Sequence, residues 1–275
     1  MSENVRLKNF SIGHNHPLTF ITGPCVIETP DACFMLAEKL KSIFAKKNAS
    51  FIFKASFDKA NRTSIHSYRG PGINEGMRIL ADIKKRLDIP ILSDVHCKEE
   101  VPVVEEILDI IQIPAFLCRQ TDLLLAAAKT GKPVNVKKGQ FLSPWDMKSV
   151  IEKIQSVGNN QILLTERGVS FGYNNLVSDM RSLIIMGKLG YPVIFDATHS
   201  VQLPGGKGKT SGGDRDMVAP LARAAVATGC EGIFLEVHDA PEKALSDSAT
   251  MLPLKDLSSL VDHLVTIHDS IQSYK

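Results

Sequence analysis

Short apolar runs rich in β-branched residues recur along the chain at positions 19–22, 51–53, 89–92, 110–113, 134–136, 162–164, 193–195 and 232–235. Continuous rather than alternating hydrophobicity marks strands buried on both faces, as in parallel sheets. Between the runs the apolar positions change to helical spacing. Phe34, Ala37, Leu40 and Phe44 share one face of a helix that Asp31 is placed to cap, and Met77, Leu80 and Leu87 stripe a second. Pro144 opens another where its missing N–H costs nothing, and Leu257, Leu260, Val261, Leu264 and Ile271 line the last. Eight strands alternating with helices predict a (β/α)8 barrel, the TIM barrel, as a single α/β domain over residues 1–275. A doubly wound sheet is the competitor, but its first turn carries Gly-x-Gly-x-x-Gly, and this chain has Gly23-Pro24-Cys25 there. Ahead of the first run, 5–12 and the turn-rich 13–17 predict a short hairpin that plugs the barrel bottom.

Composition narrows the class. With 275 residues, 44% apolar and 23% charged, the chain is long enough to bury a full core without disulfides or structural metal. Thirty-two basic against 30 acidic residues give a net charge of +2, so no global field favours nucleic acid or an anionic membrane. No apolar run reaches the roughly 18 residues of a transmembrane helix, and the opening Met-Ser-Glu-Asn-Val-Arg-Leu-Lys lacks a secretory signal's apolar stretch. Five cysteines, at 25, 33, 97, 118 and 230, form an odd set that fits a reducing, cytoplasmic setting.

In such a barrel the chemistry sits on the loops after the strands. Those positions carry Cys25 and Glu28; Lys54, Lys59, Asn61 and Arg62; Asp94 and His96; Pro114, Phe116 and Arg119; Lys137, Lys138 and Gln140; Glu166 and Arg167; Asp196 and His199; and Glu236, His238 and Asp239. A single lysine there is ordinarily a solvated rim residue and a single cysteine a core filler. Lys54, Lys59, Arg62, Lys137 and Arg167 together would repel one another at one mouth unless anions neutralise them. Two phosphates and a carboxylate carry about the charge required. The segment 59–64 supports this, with Arg62 able to grip phosphate in a bidentate fork beside the neutral donors of Asn61, Thr63 and Ser64.

Cys25, His199 and Glu236 follow runs one, seven and eight, neighbours in a closed barrel, and Asp247 comes soon after. Thiolate, imidazole and carboxylates suit a divalent Zn, Fe or Mn ion. No Cys-x-x-Cys or His-Glu-x-x-His spacing is present, so a core cysteine and surface acids stay open as the alternative. Residues 205–210 fail the Walker pattern because position 203 is Leu. The stretch 203–214 then reads as a mobile lid or a surface loop.

Gly23-Pro24-Cys25-Val26-Ile27-Glu28, Phe57-Asp58-Lys59-Ala60-Asn61-Arg62, Tyr68-Arg69-Gly70-Pro71-Gly72, Ser93-Asp94-Val95-His96, Lys137-Lys138-Gly139-Gln140 and Asp196-Ala197-Thr198-His199-Ser200 occur in this order. By these motifs the chain closely resembles the 3-deoxy-D-manno-octulosonate-8-phosphate synthases over essentially its whole length. The sister 3-deoxy-heptulosonate-7-phosphate synthases typically have Lys-Pro-Arg-Thr where this chain has Lys59-Ala60-Asn61-Arg62. The resemblance implies a transferase that condenses phosphoenolpyruvate with D-arabinose 5-phosphate and water, in the cytoplasmic supply of a lipopolysaccharide sugar. It implies phosphoenolpyruvate contacts from Lys59, Pro114, Ala115, Lys137, Gln140 and Arg167. It implies sugar-phosphate contacts from Lys54, Asn61, Arg62, Thr63, Asp94 and Phe116, with Arg119 reaching a neighbouring subunit's site in a homotetramer. Lys59, Asn61, Asp94 and His199 are the implied catalytic residues. Position 63 is usually serine in the family, and threonine keeps the hydroxyl. One branch is metal-independent, with asparagine at the position of Cys25; the other binds metal through cysteine, histidine, glutamate and aspartate. Cys25, His199, Glu236 and Asp247 imply the metal branch, although residues 248–251 follow that branch's pattern only loosely. The sister 3-deoxy-heptulosonate-7-phosphate synthase activity, a Schiff-base aldolase using Lys137, and a non-catalytic sugar-phosphate sensor are the competing functions.

Overall fold

A computed structural model describes residues 3–205 and 212–273. Its barrel strands are β1 Thr19–Gly23, β2 Ser50–Lys54, β3 Ile91–Asp94, β4 Ile110–Ile113, β5 Val134–Lys137, β6 Ile162–Glu166, β7 Val193–Asp196 and β8 Gly232–His238. Each pairs in parallel with the next, and β8 pairs with both β7 and β1, which closes the ring. The expected (β/α)8 barrel is the fold. The third strand begins two residues later than its apolar run, since Pro90 has no N–H for the ladder and instead accepts from Phe53 N through its carbonyl. Outside the ring lie α1 Pro30–Phe44, α2 Ile73–Leu87, α3 Val101–Val104, α4 Thr121–Lys129, α5 Met147–Gln155, α6 Arg181–Gly187, α7 Val218–Thr228 and α8 Leu254–Gln272. Leu257, Leu260, Val261 and Leu264 of α8 are buried as expected, with His268 completing the stripe in place of Ile271.

Two helix starts differ from the sequence expectation. Thr29, not Asp31, caps α1: its backbone is extended and its hydroxyl accepts from Ala32 N at 3.2 Å, while Pro30 occupies the first helical position. Asp31 sits in the first turn, where its charge still meets the positive end of the helix dipole. Pro144 lies in a turn, and α5 begins only at Met147, after Ser143 has accepted from Asp146 N and donated through its hydroxyl to the Asp146 carboxylate.

The barrel interior explains where the site lies. Ile21, Ile52, Leu92, Ile110, Leu163, Ile194 and Phe234 point inward and form one buried layer. Val5 and Ile12 join it from below, on the paired strands Val5–Arg6 and Ser11–Ile12. This hairpin is tied down by Glu3 N to Gly190 O at 2.8 Å and Arg6 N to the Gln161 side chain at 2.8 Å, so it plugs the bottom as expected. Because side chains alternate with period two, the residues two places beyond that apolar layer also face inward, nearer the mouth. These are Gly23, Lys54, Asp94, Gln112, Thr165, Asp196 and Glu236, joined by Lys137 from β5. Closure of the ring therefore turns an apolar layer into the floor of a charged one.

Thr29→Ala should lower unfolding free energy by about 1 kcal/mol, and Asp31→Asn by only a few tenths. Denaturant melts of the two variants measure the difference.

Candidate active site

Charges of opposite sign interleave in the mouth layer. Lys54 Nζ lies 2.8 Å from Glu236 Oε1 and donates to Cys25 O at 2.9 Å. Lys137 Nζ is hydrogen-bonded to Asp196 Oδ2. The carboxylates of Glu236 and Asp196 are completely buried, and the two lysines nearly so. Phe234 on the floor serves both cations, with Lys137 Nζ 3.5 Å and Lys54 Nζ 5.6 Å from its ring centroid. Burial alone would raise the acids, yet His199, Lys54 and Lys59 hold Glu236 well below its ordinary range, and His199 and Lys137 do the same for Asp196. Burial, reinforced by Lys54, pulls Lys137 down against the attraction of Asp196. Burial would also lower Lys59, but the carboxylates of Glu236, Asp247 and Asp94 around it keep it above the ordinary lysine value.

The loops above enclose a cavity of about 700 Å3. Lys54, Lys59, Asn61, Arg62, Thr63, Asp94, Pro114, Ala115, Phe116, Lys137, Gln140, Arg167, His199, Glu236 and Asp247 all line it. Its guanidinium groups are incompletely satisfied. Arg62 Nη1 reaches Asp247 Oδ1 at 3.1 Å, but its Nε and Nη2 are buried without a partner among the described residues. Arg167 Nη2 donates to Gln202 at 2.9 Å, while its Nη1 is likewise buried and unpartnered among the described residues. Strands β2 and β6, which these arginines follow, stand four apart in a ring of eight, on opposite sides of the mouth. Unpaired buried donors of this kind call for anionic acceptors.

Other strand-end residues turn elsewhere. Arg119 is exposed and outside the cavity of its own chain. Lys138 points away, fully buried, donating to Leu142 O at 3.1 Å and lying 3.4 Å from Glu166. Glu166 in turn accepts from the N–H groups of Arg167 and Gly168, so this buried pair stitches together the loops that present Gln140 and Arg167. Glu28 accepts from Leu245 N at 2.9 Å and faces His238, and Asp239 pairs with Lys39 on the surface. The candidate lid lies partly outside the described residues, at 206–211. Its described ends pair as Gln202–Leu203 with Gly212–Gly213, and Pro204 and Gly205 line the cavity.

Beside the cavity a mixed donor cluster forms. One ligand atom each from Cys25, Glu236 and Asp247 lies within 4.8 Å of the others. His199 Nε2 stands 3.5 Å from Glu236 Oε1 and 3.7 Å from Asp247 Oδ2. Ligand atoms around a tetrahedral zinc ion stand roughly 3.3–3.8 Å apart, so the imidazole has ligand spacing to the two carboxylates, while the mutually close group that contains Cys25 does not include it. His199 Nδ1 is 2.8 Å from Asp196 Oδ2, an arrangement that fixes the ring and turns Nε2 inward. Glu236 Oε2 is buried with no hydrogen-bond partner among the described residues. Burial, Asp247 and Glu236 push the Cys25 thiol far above its ordinary value, so a cation binding there displaces a proton. The donor set fits a divalent ion of the borderline class.

Several lining residues had no role in the sequence reading. Ser56 donates to Asp94 at 2.6 Å, Gln202 orients Arg167, and Ser246 contacts Cys25. Gln112 accepts from Asn135, which accepts from Thr165, in a buried ladder across β4, β5 and β6. The period-two alternation would have found Gln112 and given Asp196 its place; no sequence signal marks Ser246.

A family model described as the DAHP synthetase I family matches residues 3–273. The chain belongs to the DAHP synthetase I family. It is similar, at 58% identity over 267 residues, to a protein of Geobacter metallireducens named 2-dehydro-3-deoxyphosphooctonate aldolase, covering 97% of this chain and 98% of the relative. A protein of the same name from Geotalea uraniireducens gives the same identity and coverage, and one from Geobacter sulfurreducens is 57% identical over the same span. The family resemblance read from the motifs is the one these matches give.

His96 pairs with Asp94 at 3.0 Å and lies 3.4 Å from Glu100. Burial disfavours its charge, but these hydrogen-bonded carboxylates win and raise its pKa to about 10. Against an unfolded value of about 6.5, its stabilisation is complete below that pH and is lost as pH rises toward 10. Native-state NMR titration should therefore find an imidazolium through neutral pH, and His96→Gln should flatten the stability decline between these limits.

Proposed function

We propose that the protein condenses phosphoenolpyruvate with D-arabinose 5-phosphate and water to give 3-deoxy-D-manno-octulosonate 8-phosphate and inorganic phosphate. The observation that carries this reading is the pair of arginines, following strands four apart in the ring and incompletely satisfied among the described residues, that line one cation-rich cavity. Arg167, Lys137, Gln140 and Lys59 would take phosphoenolpyruvate, against the wall formed by Pro114 and Ala115. Arg62, with Asn61 and Thr63, would take the sugar phosphate, and Asp94, Lys54 and Phe116 would hold the rest of the sugar. Gripping both anions sets C3 of the enol over the aldehyde carbon and replaces a random encounter with a near-attack arrangement worth several kcal/mol. The C3–C1 bond forms, water adds at C2, and the resulting hemiketal phosphate loses phosphate by C–O cleavage. Lys59, Lys137 and Arg167 meet the negative charge as it shifts through these steps.

Cys25, His199, Glu236 and Asp247 would hold a divalent ion at the edge of this cavity. Bound there, it supplies Lewis acidity, either to the aldehyde oxygen or to the water. We assign the protein to the metal-dependent branch on this donor set. The assembly we propose is a cytoplasmic homotetramer of single-domain subunits in which Arg119 of one subunit completes its neighbour's sugar-phosphate site. The exposed position of Arg119, outside its own cavity, supports that placement.

Lowering of Lys137 by burial favours a second reading, a Schiff-base aldolase. The Asp196 contact opposes it by holding the ammonium form. One assay separates them. Phosphate release from the two substrates should be robust, should fall at least tenfold after chelation and should return with added Zn, Fe or Mn ions. Cys25→Asn should be heavily impaired. Arg167→Ala should raise KM for phosphoenolpyruvate, and Arg62→Ala that for the sugar phosphate, each on the order of a hundredfold, the loss of a charged hydrogen bond. Borohydride trapping of substrate on Lys137 without phosphate release would reverse the assignment.

A further inference from the structure

Cys25 Sγ has two hydrogen-bond contacts among the described residues. Asp247 Oδ2, at 3.3 Å, accepts from the thiol. Ser246 Oγ, at 2.9 Å, is close enough to the sulfur for either atom to donate. Ser246 and Cys25 are both buried. Of the nearby cations Lys54 and Lys59, Lys54 is committed to the carbonyl of Cys25 and to Glu236 rather than to the sulfur.

A cysteine binds metal as its thiolate, which has no proton to give. Once the sulfur is a ligand, the Asp247 contact loses its donor, and the 2.9 Å contact has only one sense: Ser246 O–H donating to Sγ. We propose that Ser246 is a positioning residue for the metal site, donating a hydrogen bond to the metal-bound thiolate of Cys25 and so setting its orientation and its electron donation to the cation. The inference rests on the donor cluster holding a divalent ion. Its physical content is that of any hydrogen bond to a metal-bound ligand: it fixes the ligand atom in place and draws electron density from it. Adjacency of Ser246 to Asp247 gives the device its geometry, because one short loop then carries both a ligand and the group that orients another ligand.

The test uses the full-length chain, stripped by chelator and reconstituted with Co2+ alone. Wild type should show a sulfur-to-cobalt charge-transfer absorption, which Cys25→Ser abolishes. Ser246→Ala should keep the band but move it to lower energy, because a thiolate without its donor is more easily oxidised. Its Co2+ affinity in chelator competition should weaken about tenfold, the usual effect of removing an outer partner of a ligand. Ser246→Thr, which keeps the hydroxyl, should restore both band position and affinity. A band and affinity in Ser246→Ala indistinguishable from wild type would overturn the role of Ser246. Absence of the band in wild type would instead overturn the metal site on which the inference rests.

Discussion

Everything in this molecule depends on burying opposite charges against one another around one ring. Lys54 and Lys137 sit on the inner wall of the barrel with Glu236 and Asp196, above a layer of mostly apolar side chains that Asn135 joins from β5. Each of these ions would be expensive to desolvate by itself, and a buried pair roughly breaks even against an apolar replacement. The network is therefore a poor source of stability. What it provides is fixed charge in a site of low dielectric, where each group is already oriented before any substrate arrives.

The same arrangement leaves selected atoms unsatisfied. Asp196 binds both Lys137 and His199, and Glu236 receives Lys54 on one oxygen while its other oxygen has no partner among the described residues. Arg62 and Arg167 each commit one nitrogen to the protein, and two of Arg62 and one of Arg167 have no partner among the described residues. Unmet valences in a closed interior are a cost to folding and a specification for ligands: anions for the guanidinium groups, a cation for the carboxylate. The Ser246–Cys25 contact belongs to the same economy, a donor whose sense is settled only when a cation takes the sulfur.

Much of this was readable from the chain. The eight apolar runs became the eight strands, because a strand buried on both faces has no polar position to hide. The plug formed from 5–12 as expected, since Val5 and Ile12 have nowhere else to bury. Errors fell at element ends. Asp31 and Thr29 are both competent caps by composition, and only the extended backbone at Thr29 decided between them. Pro144 can open a helix or a turn, and Ser143 with Asp146 settled it as a turn. Lys137 and Lys138 are adjacent and chemically alike, yet period two sends one into the cavity and the other behind it to Glu166.

By itself, then, the amino-acid order determined the strand count, the alternating architecture and the family, because these follow from local periodicity and from contiguous motifs. It also named most of the cavity's lining, since strand ends in a barrel all meet at one mouth. Only the folded chain decided which polar atoms find partners and which are left over. That outcome depends on distances between residues far apart in sequence, such as Cys25 with Ser246 or Arg62 with Asp247. Hydrogen bonding is short-ranged and directional, so no linear pattern encodes it until the ring has closed.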